Sequence, residues 1–186
     1  MAKLIYAPIT SLDGYIEDAE GNFDWSAPDE EVHAFINERQ RAIGSYLMGR
    51  RMYAVMQAWE TMHEQPDVNA IMLDFAAQWR DADKVVYSTT LTEPSTARTH
   101  IESDLDPDAV REMKYSATKD LSIAGPELAG HALRAGLVDE LQLYLNPIVV
   151  GGGKYFLPRE LRLNLELSEE QRFAGGVVFL RYAIKN

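Results

Sequence analysis

Apolar positions along the chain follow two periodicities, one typical of helices and one typical of strands. In residues 68–79 the apolar side chains fall three and four positions apart, which predicts an amphipathic helix. Short apolar runs predict strands, and further helical patterns alternate with them. The predicted strands span 3–9, 45–48, 84–88 and 121–124, and additional helices span 107–116 and 126–135. This alternation is the signature of an α/β domain.

The two ends of the chain extend the pattern. A helix is predicted to begin at Ser26-Ala27-Pro28-Asp29, with Ser26 as its N-cap, and to end at Gly44. Beyond residue 139, leucines alternate with polar neighbours in a strand that closes at 149–150. Extended stretches follow at 163–173 and 177–184, and they predict an antiparallel finish to a mostly parallel sheet. Without a repeat or linker, residues 1–186 are expected to form a single domain.

Composition narrows the class of protein. Apolar residues make up 46% and charged residues 25% of the chain, which is the balance of an ordinary globular domain. Cysteine is absent, so neither disulfides nor thiolate metal ligands are expected. Met1 leads directly into the first strand without a signal-peptide pattern, and no apolar run approaches the roughly 20 residues of a membrane span. A cytoplasmic location is therefore expected.

The net charge of −11 and the pI of about 4.8 argue against nucleic acid or an anionic membrane as a partner. They also set a condition on any anionic cofactor. An acidic protein must hold such a cofactor with a local cluster of cations and helix N-termini.

Several common motifs are missing. No G-x-G-x-x-G follows a strand, and Gly151-Gly152-Gly153-Lys154 lacks the spacing and the Ser or Thr of a P-loop. The four histidines show no metal-ligand spacing, so no metal site is predicted. The absence of G-x-S-x-G disfavours an α/β-hydrolase.

Three strand ends carry residues suited to phosphate. Gly49 precedes Arg50-Arg51 at a predicted helix start, where free N–H groups and forked donors favour an anion. Gly125 stands at a second helix start, and Ser88-Thr89 supplies hydroxyls at a third strand end. Each has a plain alternative when taken alone: a solvated basic patch for the arginines, an ordinary connection for the others. Together they favour a nucleotide site.

Four blocks of the sequence stand out in order along the chain: Ser11–Ile16, Met48–Tyr53, Leu121–Leu128, and Gly136–Leu141 continuing through Asn146–Gly153. The last block, with Leu-Val-Asp-Glu-Leu and the glycine run downstream, is the most specific. Together the blocks resemble the dihydrofolate reductase-like superfamily, and within it the reductase domain at the C-terminus of the riboflavin-biosynthesis deaminase–reductases. The resemblance covers nearly the whole chain.

This resemblance implies an α/β dihydrofolate reductase-like fold: a mostly parallel sheet of about eight strands, an antiparallel C-terminal hairpin and helices on both faces. It implies NADPH across the carboxyl ends of the strands and a homodimer through the C-terminal strands. Pro126 departs from the family's frequent Gly-Gly and removes one N–H from the phosphate turn. The implied cofactor-binding residues are Ala7, Ile9 and Thr10 at the nicotinamide, Gly49, Arg50 and Arg51 at the 2′-phosphate or pyrophosphate, Ser88 and Thr89 at the adenosine phosphate, Gly125, Pro126, Glu127 and Leu128 at the pyrophosphate, and Gly152 closing the pocket.

The proton source is the least defined part of the prediction. Dihydrofolate reductases carry an acidic residue on the helix after the first loop, where this chain has Glu30, with His33 one turn further. Asp13 is a second catalytic candidate. The alternatives are that Glu30 simply favours the helix dipole and that Asp13 forms the turn before a glycine. Tyr15 and Trp25 are candidates to line a substrate ring pocket, or else to pack.

Three functions are consistent with these residues. The first is an NADPH-dependent reductase of a small heterocycle, of the 5-amino-6-(5-phosphoribosylamino)uracil type. The second is a pterin or dihydrofolate reductase. The third, from a different class, is a non-catalytic nucleotide-binding module that has kept the fold; Pro126 favours it.

Overall fold

The computed structural model describes residues 1–185, and its elements follow the order expected of an α/β chain. The strands are β1 Leu4–Tyr6, β2 Ile9–Ser11, β3 Tyr15–Glu17, β4 Ile43–Gly49, β5 Asp83–Tyr87, β6 Thr99–Glu102, β7 Asp120–Ala124, β8 Glu140–Asn146, β9 Lys154–Tyr155, β10 Asn164–Arg172 and β11 Val178–Lys185. The α-helices are α1 Glu30–Gln40, α2 Arg50–Met56, α3 Ala70–Asp81, α4 Pro107–Ser116 and α5 Pro126–Arg134. None of the helices within 1–185 is both long and apolar enough to cross a membrane.

A nine-stranded sheet forms the centre, in the order β10-β11-β8-β1-β7-β4-β5-β6, with β2 also paired to β8. The pairs among β1, β2, β4, β5, β6, β7 and β8 are parallel, and β11 runs antiparallel to both β8 and β10. A small separate sheet pairs β3 with β9. The predicted mostly parallel sheet with an antiparallel C-terminal hairpin is thus confirmed.

The ninth strand arises because the first predicted strand is interrupted. Residues 3–9 were expected to be continuous, but β1 ends at Tyr6 and β2 begins at Ile9. Pro8 lies in the gap, and a proline cannot donate a hydrogen bond to a sheet ladder. Its carbonyl instead accepts from the Tyr144 N–H at 3.2 Å, which steers the chain onto β8.

The predicted bounds of the first helix were wrong at both ends. Asp29, not Ser26, is the N-cap: its carboxylate accepts the Val32 N–H at 2.9 Å, whereas Ser26 lies in a preceding 3₁₀ turn. Gly44 belongs to β4 and does not end the helix. A Cβ at Gly44 would approach Lys119 Cβ to 2.9 Å, so close packing accounts for this glycine.

Side chains alternate across the sheet and form cores on both faces. On one face, Leu4, Leu121 and Leu141 pack with α4 and α5. On the other, Ile5 and Met48 pack with α2 and α3, and a third cluster lies under α1. Helices therefore cover both faces, as expected. The β6 strand was missed because only Ile101 among its four residues is strongly apolar, and His100 and Glu102 are exposed.

Candidate functional site

Four predicted cofactor-binding positions lie together where parallel strands end. The register pairs Met48 of β4 with Ala124 of β7 and Tyr6 of β1 with Ile123. The next residues along these and the neighbouring strand β5 therefore share one edge of the sheet. We call this the carboxyl edge, defined by Ala7, Gly49, Ser88 and Gly125. In open α/β sheets, ligands bind at this edge.

The start of α2 is open to an anion. Gly49 is the N-cap, and no side chain of the described residues caps it. A Cβ built on Gly49 would meet no atom of residues 1–185 within 4 Å. Arg50 and Arg51 are exposed, and within the described chain no carboxylate forms a salt bridge with either. Two free guanidinium groups thus stand beside uncapped N–H groups.

The start of α5 has similar geometry. Gly125, its N-cap, has φ +91° and ψ 125°, a conformation that side chains disfavour. The space where its Cβ would lie contains no atom of 1–185 within 4 Å. Pro126 occupies the first helical position and contributes no N–H, so Glu127 and Leu128 carry the next donors.

Glu127 places a negative charge at this turn. Its carboxylate lies 2.8 Å from Lys154 Nζ, a residue that the sequence pattern did not single out as a ligand. The hydrogen bond and charge of Lys154, with smaller contributions from Arg51 and His131, hold the pKa of Glu127 below its ordinary value despite partial burial. The cations around Glu127 therefore outnumber it.

The third predicted phosphate contact, at Ser88 and Thr89, forms its own turn. The Ser88 hydroxyl oxygen accepts from the N–H groups of Thr90 at 3.2 Å and Leu91 at 3.0 Å. The Ser88 hydroxyl also lies 3.5 Å from the Thr90 hydroxyl, and Thr89 is exposed. The geometry is compatible with a contact to a ligand, and the assignment stays a prediction.

The following loop is held by Tyr53 of α2. The Tyr53 hydroxyl oxygen accepts from the N–H groups of Ser95 at 2.9 Å and Thr96 at 3.0 Å, and contacts both hydroxyls at 3.0 Å. Tyr53 ends the Met48–Tyr53 block, and the sequence pattern assigns it no role. Its function is to attach the loop after β5 to the helix that carries Arg50.

Ala7, Ile9 and Thr10 differ in accessibility. Ala7 and Ile9 are half-buried, at the borders of the α2–α3 and α1 clusters. Thr10 is fully buried, and its hydroxyl has no hydrogen-bond partner among the described residues. The side chain of Thr10 thus does not reach the surface in this conformation, and its predicted role at the nicotinamide rests on its backbone.

Asp13 connects two loops. Its carboxylate accepts from the backbone N–H of Gly151 at 2.8 Å and of Val150 at 3.2 Å. Partial burial works to raise the pKa of Asp13, but hydrogen bonds from Ser11, Gly151 and Val150 outweigh it and hold the pKa below its ordinary value. A carboxylate that is held ionised in this way suits positioning better than proton donation.

The segment after β8 packs closely against β3 and the turn before it, at positions occupied by glycine. A Cβ at Gly153 would lie 2.0 Å from the Glu17 carbonyl oxygen, and one at Gly14 would lie 2.4 Å from the Tyr155 ring. A Cβ at Gly152 would meet no atom of the described residues within 4 Å, and its predicted role in closing the pocket stays a prediction. Tyr15, a predicted substrate contact, packs edge-to-face on Tyr155 at 5.6 Å.

The remaining predicted residues lie near the start of α1. Glu30 is exposed in the first turn, and Trp25 is half-buried, with its indole N–H donating to the Asn22 carbonyl at 3.3 Å. His33 is half-buried against Trp59 at 5.9 Å. Burial lowers the pKa of His33, while the charge of Asp74 works in the opposite direction.

The sequence profile of the RibD C-terminal domain matches residues 2–179 of this chain. The chain belongs to the RibD C-terminal domain family. Among sequences, it is 28% identical over 184 residues to the uncharacterized protein YyaP of Bacillus subtilis strain 168, covering 97% of this chain and 94% of YyaP.

Solved structures support the same fold. A putative riboflavin biosynthesis protein from Shewanella sp. PV-4 superposes with a TM-score of 0.74 at 22% identity, covering all of both chains. The diaminohydroxyphosphoribosylaminopyrimidine deaminase/5-amino-6-(5-phosphoribosylamino)uracil reductase of Thermotoga maritima gives a TM-score of 0.69 at 12% identity. This chain covers 57% of that two-activity protein. The fold is therefore that of riboflavin-pathway reductase domains.

Proposed function

We propose that this RibD C-terminal domain is an NADPH-dependent oxidoreductase that reduces a small heterocyclic substrate. The carboxyl edge carries the proposal. There, two uncapped helix starts, each led by a glycine with open space above it, flank two arginines that are free of salt bridges within the described chain. This local positive site meets the condition that an overall charge of −11 imposes on an anionic cofactor.

The residues present fit NADPH. Gly49 and Gly125 would allow close approach of the phosphates to the backbone, and Arg50 and Arg51 would neutralise them, with the 2′-phosphate distinguishing NADPH from NADH. Bound NADPH supplies a hydride. The buried cores beside Ala7 would exclude water from the reacting end, a condition that hydride transfer requires.

The proposed substrate contacts come from β3 and from the 3₁₀ turn before α1. Trp25 and Tyr15 would flank the ring, and the Asp13 carboxylate would fix the loop over it by holding the Gly151 N–H. Glu30, in the first turn of α1, is the candidate proton source that the family resemblance suggests. An aminopyrimidine of the kind named for the Thermotoga protein is the first substrate to test.

Two other functions stay open to test. A pterin or dihydrofolate reductase would use the same cofactor edge and would need an acid on α1, where Glu30 is exposed. A non-catalytic binding module is favoured by Pro126, which removes a phosphate-facing N–H. Loss of nicotinamide absorbance is to be measured with 5-amino-6-(5-phosphoribosylamino)uracil and with dihydrofolate. Turnover of the first supports the proposal, turnover of the second alone supports the pterin function, and binding without turnover of either supports the module.

We also propose a homodimer through the C-terminal strands. Leu165 and Leu167 of β10 are 40% and 47% exposed, and the register places Ile184 and Tyr182 opposite them. They extend the apolar face that α4 and α5 cover elsewhere. A second copy would cover it. Light scattering should give twice the chain mass for the wild type and the single mass for Leu167→Glu, while the control Leu73→Glu on α3 stays dimeric. A monomeric wild type would contradict the dimer.

The protein's location and its partners complete the proposal. We propose that the protein acts in the cytoplasm on a small molecule, and that it does not bind nucleic acid, because a chain with a net charge of −11 is repelled by the phosphate backbone. Fractionation of the source cells and a mobility-shift assay test the two statements. Recovery in the membrane fraction or a shifted nucleic-acid band would contradict them.

A further inference from the structure

A groove of about 270 Å³ runs along α5, and Pro126 and Glu127, which follow Gly125 of the carboxyl edge, line one end of it. Glu127, His131 and Arg134 line one wall of this α5 groove, since positions four and three residues apart share one face of a helix. Lys154, Tyr155 and Pro158 line the opposite wall. None of the predictions made from sequence used His131, Arg134 or Lys154.

Gly130 lies between the wall residues of α5, on the buried side of the helix. A Cβ at Gly130 would lie 3.5 Å from both Pro158 Cβ and Arg134 Nη1, which is ordinary van der Waals contact. The 154–158 segment and the Arg134 guanidinium therefore both lie close to this turn of α5.

The charges in the groove are unbalanced. Lys154 is the partner of Glu127, at 2.8 Å. Over the described part of the chain, neither His131 nor Arg134 forms a salt bridge with a carboxylate. One carboxylate therefore faces two amino-acid cations and an imidazole, in a protein whose overall charge is −11. A cavity in which cationic groups outnumber the carboxylate is suited to an anion.

The volume limits what can bind. Sites for whole drug-sized ligands begin at roughly 300 Å³, so 270 Å³ suits part of a ligand and not an entire dinucleotide. The walls offer a forked guanidinium, an ammonium and an imidazole for oxygen atoms. Tyr155 and Pro158 add apolar surface for the carbon atoms attached to them.

We propose that the α5 groove is an anion subsite that binds a phosphate monoester, held by Arg134, His131 and Lys154. The subsite goes beyond the proposed function because it does not require turnover. Glu127 weakens phosphate binding in this groove because its carboxylate already pairs with Lys154. Removing the Glu127 charge should therefore strengthen phosphate binding, whereas removing Arg134 should weaken it.

The test is a titration with inorganic phosphate and then with ribose 5-phosphate, followed by the imidazole C–H signals in proton NMR. The chain has four histidines, and His131→Gln assigns the relevant signal. The His131 signal is expected to shift and saturate, while those of His63 and His100 stay in place. Arg134→Ala should weaken binding about tenfold, as expected from the loss of one charge-assisted hydrogen bond. Glu127→Gln should strengthen binding, and Arg111→Ala on α4 should leave it unchanged.

A second arm adds saturating NADPH to distinguish the source of the phosphate. If ribose 5-phosphate still shifts the His131 signal, the subsite binds the phosphate of a substrate; if NADPH shifts it and blocks ribose 5-phosphate, the phosphate is the cofactor's. Either result supports the subsite. An unsaturated shift, equal shifts of all exposed histidines, or no effect of Arg134→Ala would overturn it. NADPH binding at the carboxyl edge is measured separately by tryptophan quenching, so the two failures are distinguishable.

Discussion

The Asp13 carboxylate accepts a 2.8 Å hydrogen bond from the backbone N–H of Gly151, across 138 positions of sequence. This bond joins the turn after β2 to the loop after β8, the two segments that face the carboxyl edge. A charged acceptor on a backbone N–H is stronger than a neutral one. The bond therefore couples the order of the two loops to the ionisation of one side chain.

The coupling predicts a pH-dependent stability difference. The folded-state pKa of Asp13 lies below its ordinary value of 3.8, so its contribution is present above that value and is lost as the pH falls through the folded pKa. Asp13→Asn should lower stability to urea at pH 7, and the difference from wild type should shrink below about pH 4. Urea unfolding at both pH values checks this. A difference that is equal at both would contradict the ionic role.

Gly125 and Gly49 form a matched pair. Gly125→Ala places a side chain at φ +91°, which should destabilise the protein by roughly 1–3 kcal/mol. Gly49→Ala lies at φ −79° and should change stability little. Because both methyl groups would enter open space at the carboxyl edge, both variants should bind NADPH more weakly. Thermal unfolding and NADPH titration measure the two effects. Unchanged NADPH affinity in Gly49→Ala would show that the phosphates do not bind against this backbone.

Tyr53 is predicted to hold the loop after β5, which begins at Ser88, against α2. Tyr53→Phe removes the acceptor of the Ser95 and Thr96 N–H groups, and the buried Thr96 donor left without a partner costs about 1–3 kcal/mol. Hydrogen exchange should therefore accelerate at 92–98 and remain slow in the buried β7 strand. Uniform acceleration throughout the sheet would mean global destabilisation and would contradict a local attachment.

Arg50 is predicted to select the phosphorylated cofactor. Arg50→Ala should weaken NADPH binding roughly 10- to 100-fold, from a charge-assisted contact of about 1.5–3 kcal/mol, and leave NADH binding nearly unchanged. Arg111→Ala, which alters an exposed arginine on α4, is the charge-matched control. If Arg50→Ala weakens both cofactors equally, the residue contacts something other than the 2′-phosphate.

The sequence predicted the parts of the fold that depend on local pattern. Helix α4 has the predicted bounds, Pro107–Ser116, because an N-terminal proline and a clear apolar face define it. The start of α1 was wrong because Ser26 and Asp29 are both good caps, and only packing decides between them. The polar edge strand β6 owes its existence to pairing with β5, which no local pattern records.

The site was predictable only in part, for the same reason. The glycines and arginines of the carboxyl edge stand at strand ends, so the sequence pattern found them. Lys154 was missed because its ion pair with Glu127 spans two distant segments. The interaction of Asp13 with Gly151 was hidden in the same way: a turn-forming Asp-Gly has the same local pattern whether or not its carboxylate binds another loop.

The most direct test of the central claim is a titration of the wild-type protein with NADPH and, separately, with NADH, following quenching of tryptophan fluorescence. The account predicts saturable quenching with a clear preference for NADPH, since two arginines without salt bridges in the described chain stand at the carboxyl edge. Absence of binding by either cofactor up to millimolar concentration would contradict an NADPH-dependent reductase and leave the carboxyl edge as a scaffold feature.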